Sequence, residues 1–207
     1  MLEFLRTVGR LKSLPRQGWV DRGIRDPESV ADHSFRCAWM AWTLGQAAGL
    51  DTDRLVKMML VHDLPEAEVG DATPYAGIVA SGIDLEDALP RWRELVSPQE
   101  LARTKAEKHA LEEQGLRDLS RGLPPPLRGE LLELWEDYAA RRSPEAQFAA
   151  QIDKLEALVQ AIEYREAGQA ADVENFLQTA EESIHHPVLR SLLDELRLLV
   201  EGKKKGE

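Results

Sequence analysis

Apolar residues recur along this chain at every third or fourth position rather than every second one, and that period commits it to helices. The clearest run is Phe148, Ile152, Leu155, Val159 and Ile162, at spacings of four, three, four and three, which marks the core-facing stripe of a helix over 144–167. Ser143 stands at the cap position and Pro144 at the first helical position, where a missing N–H costs nothing. Ser97-Pro98-Gln99-Glu100 joins the same proline to a capping box and starts another helix towards 120. Further helices are expected over 1–12, 30–48, from Asp51 to near Pro65, 126–141, 171–183 and 187–201. Pro15, Gly18, Gly23 and Pro27 mark an irregular loop, and Gly70 to Pro90 reads as a loop with short helical pieces. Val, Ile and aromatic residues nowhere gather in alternating runs. The expectation is therefore an all-α chain, one domain over 1–200, with 201–207 as a disordered basic tail carrying Lys203, Lys204 and Lys205.

Charge narrows the function. The 207 residues hold 26 basic against 37 acidic side chains, a formal charge of −11. Sequence-independent binding to nucleic acid or to an anionic membrane needs basic patches, so both are excluded as expectations. A small phosphate ligand held by a few local cations is still compatible. No apolar run approaches the roughly 18 residues that a membrane span needs, and a cytoplasmic protein is expected. The lone cysteine, Cys37, sits among Phe35, Ala38 and Met40 and reads as a small buried hydrophobe.

Chemistry is concentrated in a few positions. His33 lies in the 30–48 helix on a turn shared with Val30, Cys37 and Met40. His62-Asp63 ends the apolar run Met58-Met59-Leu60-Val61, where a core helix abruptly turns polar. Asp153 stands beside Ile152 at the rim of the long apolar stripe, a costly place for a carboxylate without a partner or a metal. Taken singly, each has a plain structural explanation. Together, two imidazoles and two carboxylates form a mixed N/O set that suits Mn, Fe, Co, Zn or Mg and leaves positions open for water and a phosphate oxygen.

An early His, a helix-ending His-Asp and a late Asp, in that order, resemble the HD-domain phosphohydrolase superfamily, and more narrowly its 5′-deoxynucleotidases of the HD-domain-containing-2 type. The stretches that carry the resemblance are 11–20 (LKSLPRQGWV), 27–34 (PESVADHS) and 61–71 (VHDLPEAEVGD), with 131–138 and 151–156 beside them. The resemblance implies an HD-domain helical bundle, hydrolysis of 2′-deoxynucleoside 5′-monophosphates to deoxynucleoside and phosphate, and a homodimer. After Asp71 the chain departs from the family pattern, and 76–96 reads as an insertion, a lid or an extension of the surface. Two rivals stand beside this reading. One is an HD phosphodiesterase or triphosphohydrolase, which wants a larger basic pocket. The other is a non-catalytic helical interaction protein that keeps a metal for structure, which would close its coordination sphere.

The resemblance and the chemistry together assign His33, His62, Asp63 and Asp153 to a divalent cation, with Mn, Co or Mg expected first and Zn, Fe or Ni as alternatives. Arg16, in the Pro15/Gly18 loop, becomes a candidate to grip phosphate through two parallel hydrogen bonds. Glu66, one helical turn beyond His62 if that helix continues, is the candidate general acid or base. Asp71 would position water, take the sugar 3′-hydroxyl, or share a second Mg with Glu66 as in some relatives. Trp19 is a candidate to stack on the nucleoside or press on the C2′ edge, and Thr73 to touch substrate. Glu68 is assigned to solvent, His109 to a helix surface, and His185-His186 before Pro187 to a helix-start turn.

Overall fold

The computed structural model describes residues 1–73, 88 and 95–204. Among them, ten α-helices and two short 3₁₀ turns account for the regular structure, and the sole β-type pairing is one isolated antiparallel bridge, Pro15 to Ser29. The all-α reading holds. The helices are α1 (Leu2–Val8), α2 (Gln17–Val20), α3 (Val30–Ala48), α4 (Thr52–Val61), α5 (Glu66–Val69), α6 (Pro98–Leu119), α7 (Pro125–Ala140), α8 (Pro144–Glu166), α9 (Val173–Ser183) and α10 (Pro187–Lys204). No described helix is long and apolar enough to cross a membrane.

The chain gathers into two compact units, each woven from two stretches: Met1–Ala31 with Asp63–Leu132, and Asp32–His62 with Glu133–Glu207. In the second unit α8 is the axis, packed against α4, α9 and α10. Ser143 accepts from the Ala146 N–H and Pro144 follows, so the start of α8 is as expected. Phe148, Ile152, Leu155 and Ile162 are buried, but Leu158 is fully buried where Val159 is only partly so; the buried face is wider than a single stripe. The glycine at 45 lets α3 approach α4 closely. A Cβ there would lie 2.6 Å from Leu55 Cδ1, so Gly45→Ala must displace a packed leucine, an overpacking that costs about 1–3 kcal/mol.

In the first unit α5 packs on α6, on α1 and on the 3₁₀ turn Gly9–Lys12 that continues α1. The capping box forms: Ser97 Oγ accepts from the Glu100 N–H, and the Glu100 carboxylate accepts from the Ser97 N–H. The Pro15–Ser29 bridge, with Arg16 N–H on the Glu28 carbonyl at 3.0 Å and Val30 N–H on the Leu14 carbonyl at 2.9 Å, ties both ends of the intervening loop together.

Three expectations change. The helix expected over 1–12 is α-helical to Val8 and 3₁₀ from Gly9 to Lys12. The α4 helix does not continue to Glu66: it ends at Val61, and Glu66 opens a new helix after a turn. Pro65 is the physical reason, because it has no N–H for the Val61 carbonyl and can only precede the next helix. Of the tail expected over 201–207, residues up to Lys204 are helical, while 205–207 lie outside the described residues. So does the 76–96 segment, apart from Ala88, Leu95 and Val96.

Candidate metal and phosphate site

Two constellations form, and the chain passes from one to the other at His62-Asp63: His62 belongs to the second unit and Asp63 to the first.

In the first constellation His33 on α3 is fully buried and His62, just past α4, is 4% exposed. Their Nε2 atoms lie 3.3 Å apart. The opposite nitrogens explain why. His62 Nδ1 is 2.7 Å from the Met59 carbonyl, which only accepts, so Nδ1 carries the proton. His33 Nδ1 is 2.5 Å from Glu156 Oε2, another acceptor. Both Nε2 lone pairs therefore face each other, and Asp153 Oδ1 stands 3.3 Å from His33 Nε2 beside them. Two facing imidazole lone pairs, with a carboxylate oxygen beside that of His33, favour a positive charge, and a divalent cation suits two imidazole nitrogens and a carboxylate oxygen.

Burial by itself would raise the Asp153 carboxyl. The Lys154 ammonium, 2.8 Å from Oδ2, is the largest of the causes that outweigh burial and hold it well below the usual carboxylate range. Tyr138 presents its ring edge-on to His62, 5.3 Å between centroids, and fixes the imidazole plane. Cys37, one turn from His33, has Sγ at 3.6 Å from Nε2 and 3.9 Å from Nδ1. A sulfur nearly equidistant from both nitrogens lies beside the ring rather than along the Nε2 lone pair. Burial pushes its thiol up to about 12. It packs, as the sequence suggests.

The second constellation is acidic around two cations. Arg16 Nη1 is 2.8 Å from Asp63 Oδ2, 3.7 Å from Asp71 Oδ2 and 4.0 Å from Glu66 Oε2. Glu66, 2% exposed, also faces Lys108 Nζ at 3.6 Å. Burial first, then the charges of Asp63 and Asp71, raise the Glu66 carboxyl well above its ordinary value; Arg16 and Lys108 offset this only in part. The same acids act in reverse on Lys108: burial would lower its ammonium, but Glu66, Glu112, Asp63 and Asp71 leave it raised. Gly70, at φ +81°, turns the chain out of α5 in a conformation that favours glycine. Asp71 follows directly and accepts from the Gln17 N–H at 2.8 Å.

Trp19 is 3% exposed with its indole N–H on Glu28 at 2.9 Å, so it anchors the Arg16 loop from inside. Thr73 is buried with Oγ1 donating to Asp21 Oδ2 at 3.4 Å. It also lines a cavity of about 390 Å³ together with Val69, Gly70, Ala72, Thr104 and Lys108, within the range of small-molecule sites. Glu68 is exposed and pairs with Arg10. His186 accepts from the Val188 N–H at the start of α10 and packs its ring on Phe148.

Sequence reasoning passed over Glu156, Lys108 and Tyr138. Glu156 had a signal: it follows Asp153 by three residues on one helix and so shares its face. Lys108 had none, because α6 is a largely polar helix in which any lysine reads as solvated.

The family model described as an HD domain matches residues 8–192 and so takes in both units. The human protein 5′-deoxynucleotidase HDDC2 is 37% identical over 197 residues, covering 95% of this chain and 84% of its own. A conserved hypothetical protein of Pyrococcus furiosus has a similar structure, with a TM-score of 0.67 at 27% identity, covering 95% of this chain and 99% of its own. A protein of Magnetospirillum magnetotacticum described as a predicted metal-dependent phosphohydrolase gives 0.61 at 25% identity, with 94% and 92% covered. On its sequence the chain belongs to the HD-domain family, and within it to the 5′-deoxynucleotidases of the HDDC2 type.

Proposed function

We propose that this chain is a metal-dependent 5′-deoxynucleotidase, hydrolysing 2′-deoxynucleoside 5′-monophosphates to deoxynucleoside and phosphate. The observation that carries the metal is the facing pair of Nε2 atoms of His33 and His62 at 3.3 Å, with Asp153 beside them. Asp63, the residue after His62, completes the proposed ligand set. Mn, Co or Mg suits these donors. Bound there, the ion would supply charge neutralisation on the phosphoryl oxygens and a water of lowered pKa.

The remaining work falls to the chain. In the resting protein the Arg16 guanidinium rests on Asp63, Asp71 and Glu66; a phosphate dianion would compete for it and gain a two-point grip on the phosphoryl group. Glu66, its carboxyl raised well above its ordinary value by burial and by Asp63 and Asp71, is the group placed to hold a proton and pass it to the 5′-oxygen as the P–O5′ bond breaks and a P–O bond forms to water. Asp71 orients that water or takes the 3′-hydroxyl; alternatively, with Glu66 ionised, Asp71 and Glu66 would share a second Mg. Thr73, on the cavity wall, would touch substrate, and Trp19, buried with its indole N–H on Glu28, would act on the nucleoside through the loop it anchors. The family resemblance also supports a homodimer, and the charge and composition of the chain support a cytoplasmic location.

Phosphate release from a panel of dNMPs, NMPs and dNTPs, after chelation and readdition of Mn, Co or Mg, tests the proposal. Release from dNMPs that stops on chelation and returns with metal is expected, together with loss of at least about 10²-fold in Asp63→Ala. Release from dNTPs but not from dNMPs would turn the reading to a triphosphohydrolase. Full activity in Asp63→Ala would remove the metal assignment. Sizing chromatography checks the dimer.

A further inference from the structure

Glu156 lies outside the four ligands proposed above, yet it is buried at 0% exposure directly behind one of them. Its Oε2 meets His33 Nδ1 at 2.5 Å. Its Oε1 is fully buried without a hydrogen-bond partner among the described residues, and the Arg36 Nε lies 3.4 Å away as an ion-pair partner. Arg36 is itself held from the far side, with Nη1 on Glu163 at 2.8 Å and Nη2 on Gln160 at 2.6 Å. Asp153, Glu156, Gln160 and Glu163 all stand on α8, so one helix presents both a proposed ligand and the group that sets its neighbour's protonation.

A buried carboxylate with one cation behind it and no other donor in front is expensive unless it has a task. We propose that Glu156 is the positioning residue of the metal centre. It accepts the Nδ1–H of His33, locks the tautomer whose Nε2 faces the ion, and makes that imidazole a stronger donor, while Arg36 neutralises the outer oxygen. This rests on the metal reading given above. The pairing of a carboxylate with a ligating histidine commonly changes metal affinity by about 10–100-fold when it is broken. Glu156→Gln keeps the shape but offers His33 an amide in place of an anion, so the ring is held more weakly and its Nε2 is less basic. Glu163→Gln alters the network only at its outer edge and should do far less.

The test is titration of the chelator-stripped full chain with Co(II), followed by visible absorption, on wild type, Glu156→Gln, Glu163→Gln and Asp153→Asn. Expected are a Kd raised about 10–100-fold and a changed ligand-field spectrum in Glu156→Gln, near-wild-type behaviour in Glu163→Gln, and the largest loss in Asp153→Asn. A Glu156→Gln titration that superimposes on wild type, in Kd and spectrum, overturns the positioning role while leaving the metal site standing. Wild type that binds no Co(II) overturns both. Should Glu156→Gln fail to fold, ¹⁵N–¹H correlation spectra of the wild-type imidazoles decide instead: His33 protonated at Nδ1 supports the proposal, and His33 protonated at Nε2 overturns it.

Discussion

At the scale of single residues, each of the two constellations holds an acid that its neighbours push away from its ordinary value, and the directions are opposite. Asp153 is held below the usual carboxylate range chiefly by Lys154, whereas Glu66 is pushed above it by burial and by Asp63 and Asp71. Two carboxyls with opposed values fit one ligand and one proton donor. The pH dependence that follows from Glu66 has a definite sign. Its folded value lies above the ordinary 4.5, so the folded chain holds that proton more tightly than the unfolded one. The associated stability is full below the unfolded value and is lost as pH rises through the folded one. Glu66→Gln, which stays neutral at every pH, should therefore match the wild type in metal-free melts near pH 4.5 and exceed it at pH 8. A difference that does not change with pH would contradict this origin. The same variant should lose about 10²–10⁴-fold in dNMP hydrolysis, since it has no proton to give. His33, His62, Asp63 and Asp153 were visible in the sequence because a polar side chain interrupts an apolar helical face at each place. Glu156 was legible only through its place one turn beyond Asp153 on α8, and Lys108 not at all, because it lies on a helix rich in charge where it does not stand out.

At the scale of elements, caps and prolines decided most boundaries and were legible. Asp51, Ser97, Ser143 and Asp172 each accept from the backbone N–H three residues on, and a helix starts after each. The break between α4 and α5 was the exception. The apolar run through Val61 argued for continuation, and Pro65 carried the contrary signal. The join between α7 and α8 depends on a buried group instead. Asp137 accepts from the Ser143 N–H at 3.0 Å, the Ser143 Oγ–H at 2.6 Å and Arg54 Nη2 at 2.7 Å, and so binds the helix cap to α4. Burial would raise its carboxyl, but Ser143 and Arg54 outweigh burial and depress it below the ordinary 3.8. A depressed acid contributes stability that is present above the unfolded value and lost as pH falls through the folded one. Asp137→Asn should cost roughly 1–3 kcal/mol in urea melts at pH 7. The gap to wild type should narrow below pH 3.8; a gap of constant size in acid would mean that hydrogen-bond shape, not charge, holds the join.

At the scale of the whole molecule, the proposed ligands link stability to metal. His33 meets His62 and Asp153 in the second unit, the three coming from α3, from the end of α4 and from α8, so they are brought together only when those helices are folded. An ion bound there recognises the folded chain and not the unfolded one, and mass action then stabilises it by about 2.7 kcal/mol at a free concentration of 100 Kd. For a chain of this length about 2–4 °C of Tm accompanies each kcal/mol. Chelator-stripped protein should therefore gain roughly 5–10 °C in Tm on saturation with Mn(II). The gain should disappear in Asp153→Ala, whose own metal-free Tm sets the baseline. Arg16→Ala tests whether the two constellations are separable: it should raise KM for dNMPs, while the Asp63 carboxylate it leaves behind keeps the metal-dependent gain. If Arg16→Ala abolished the thermal gain instead, the two constellations could not be assigned separate tasks, and the division between ion holding and phosphate gripping would have to be given up.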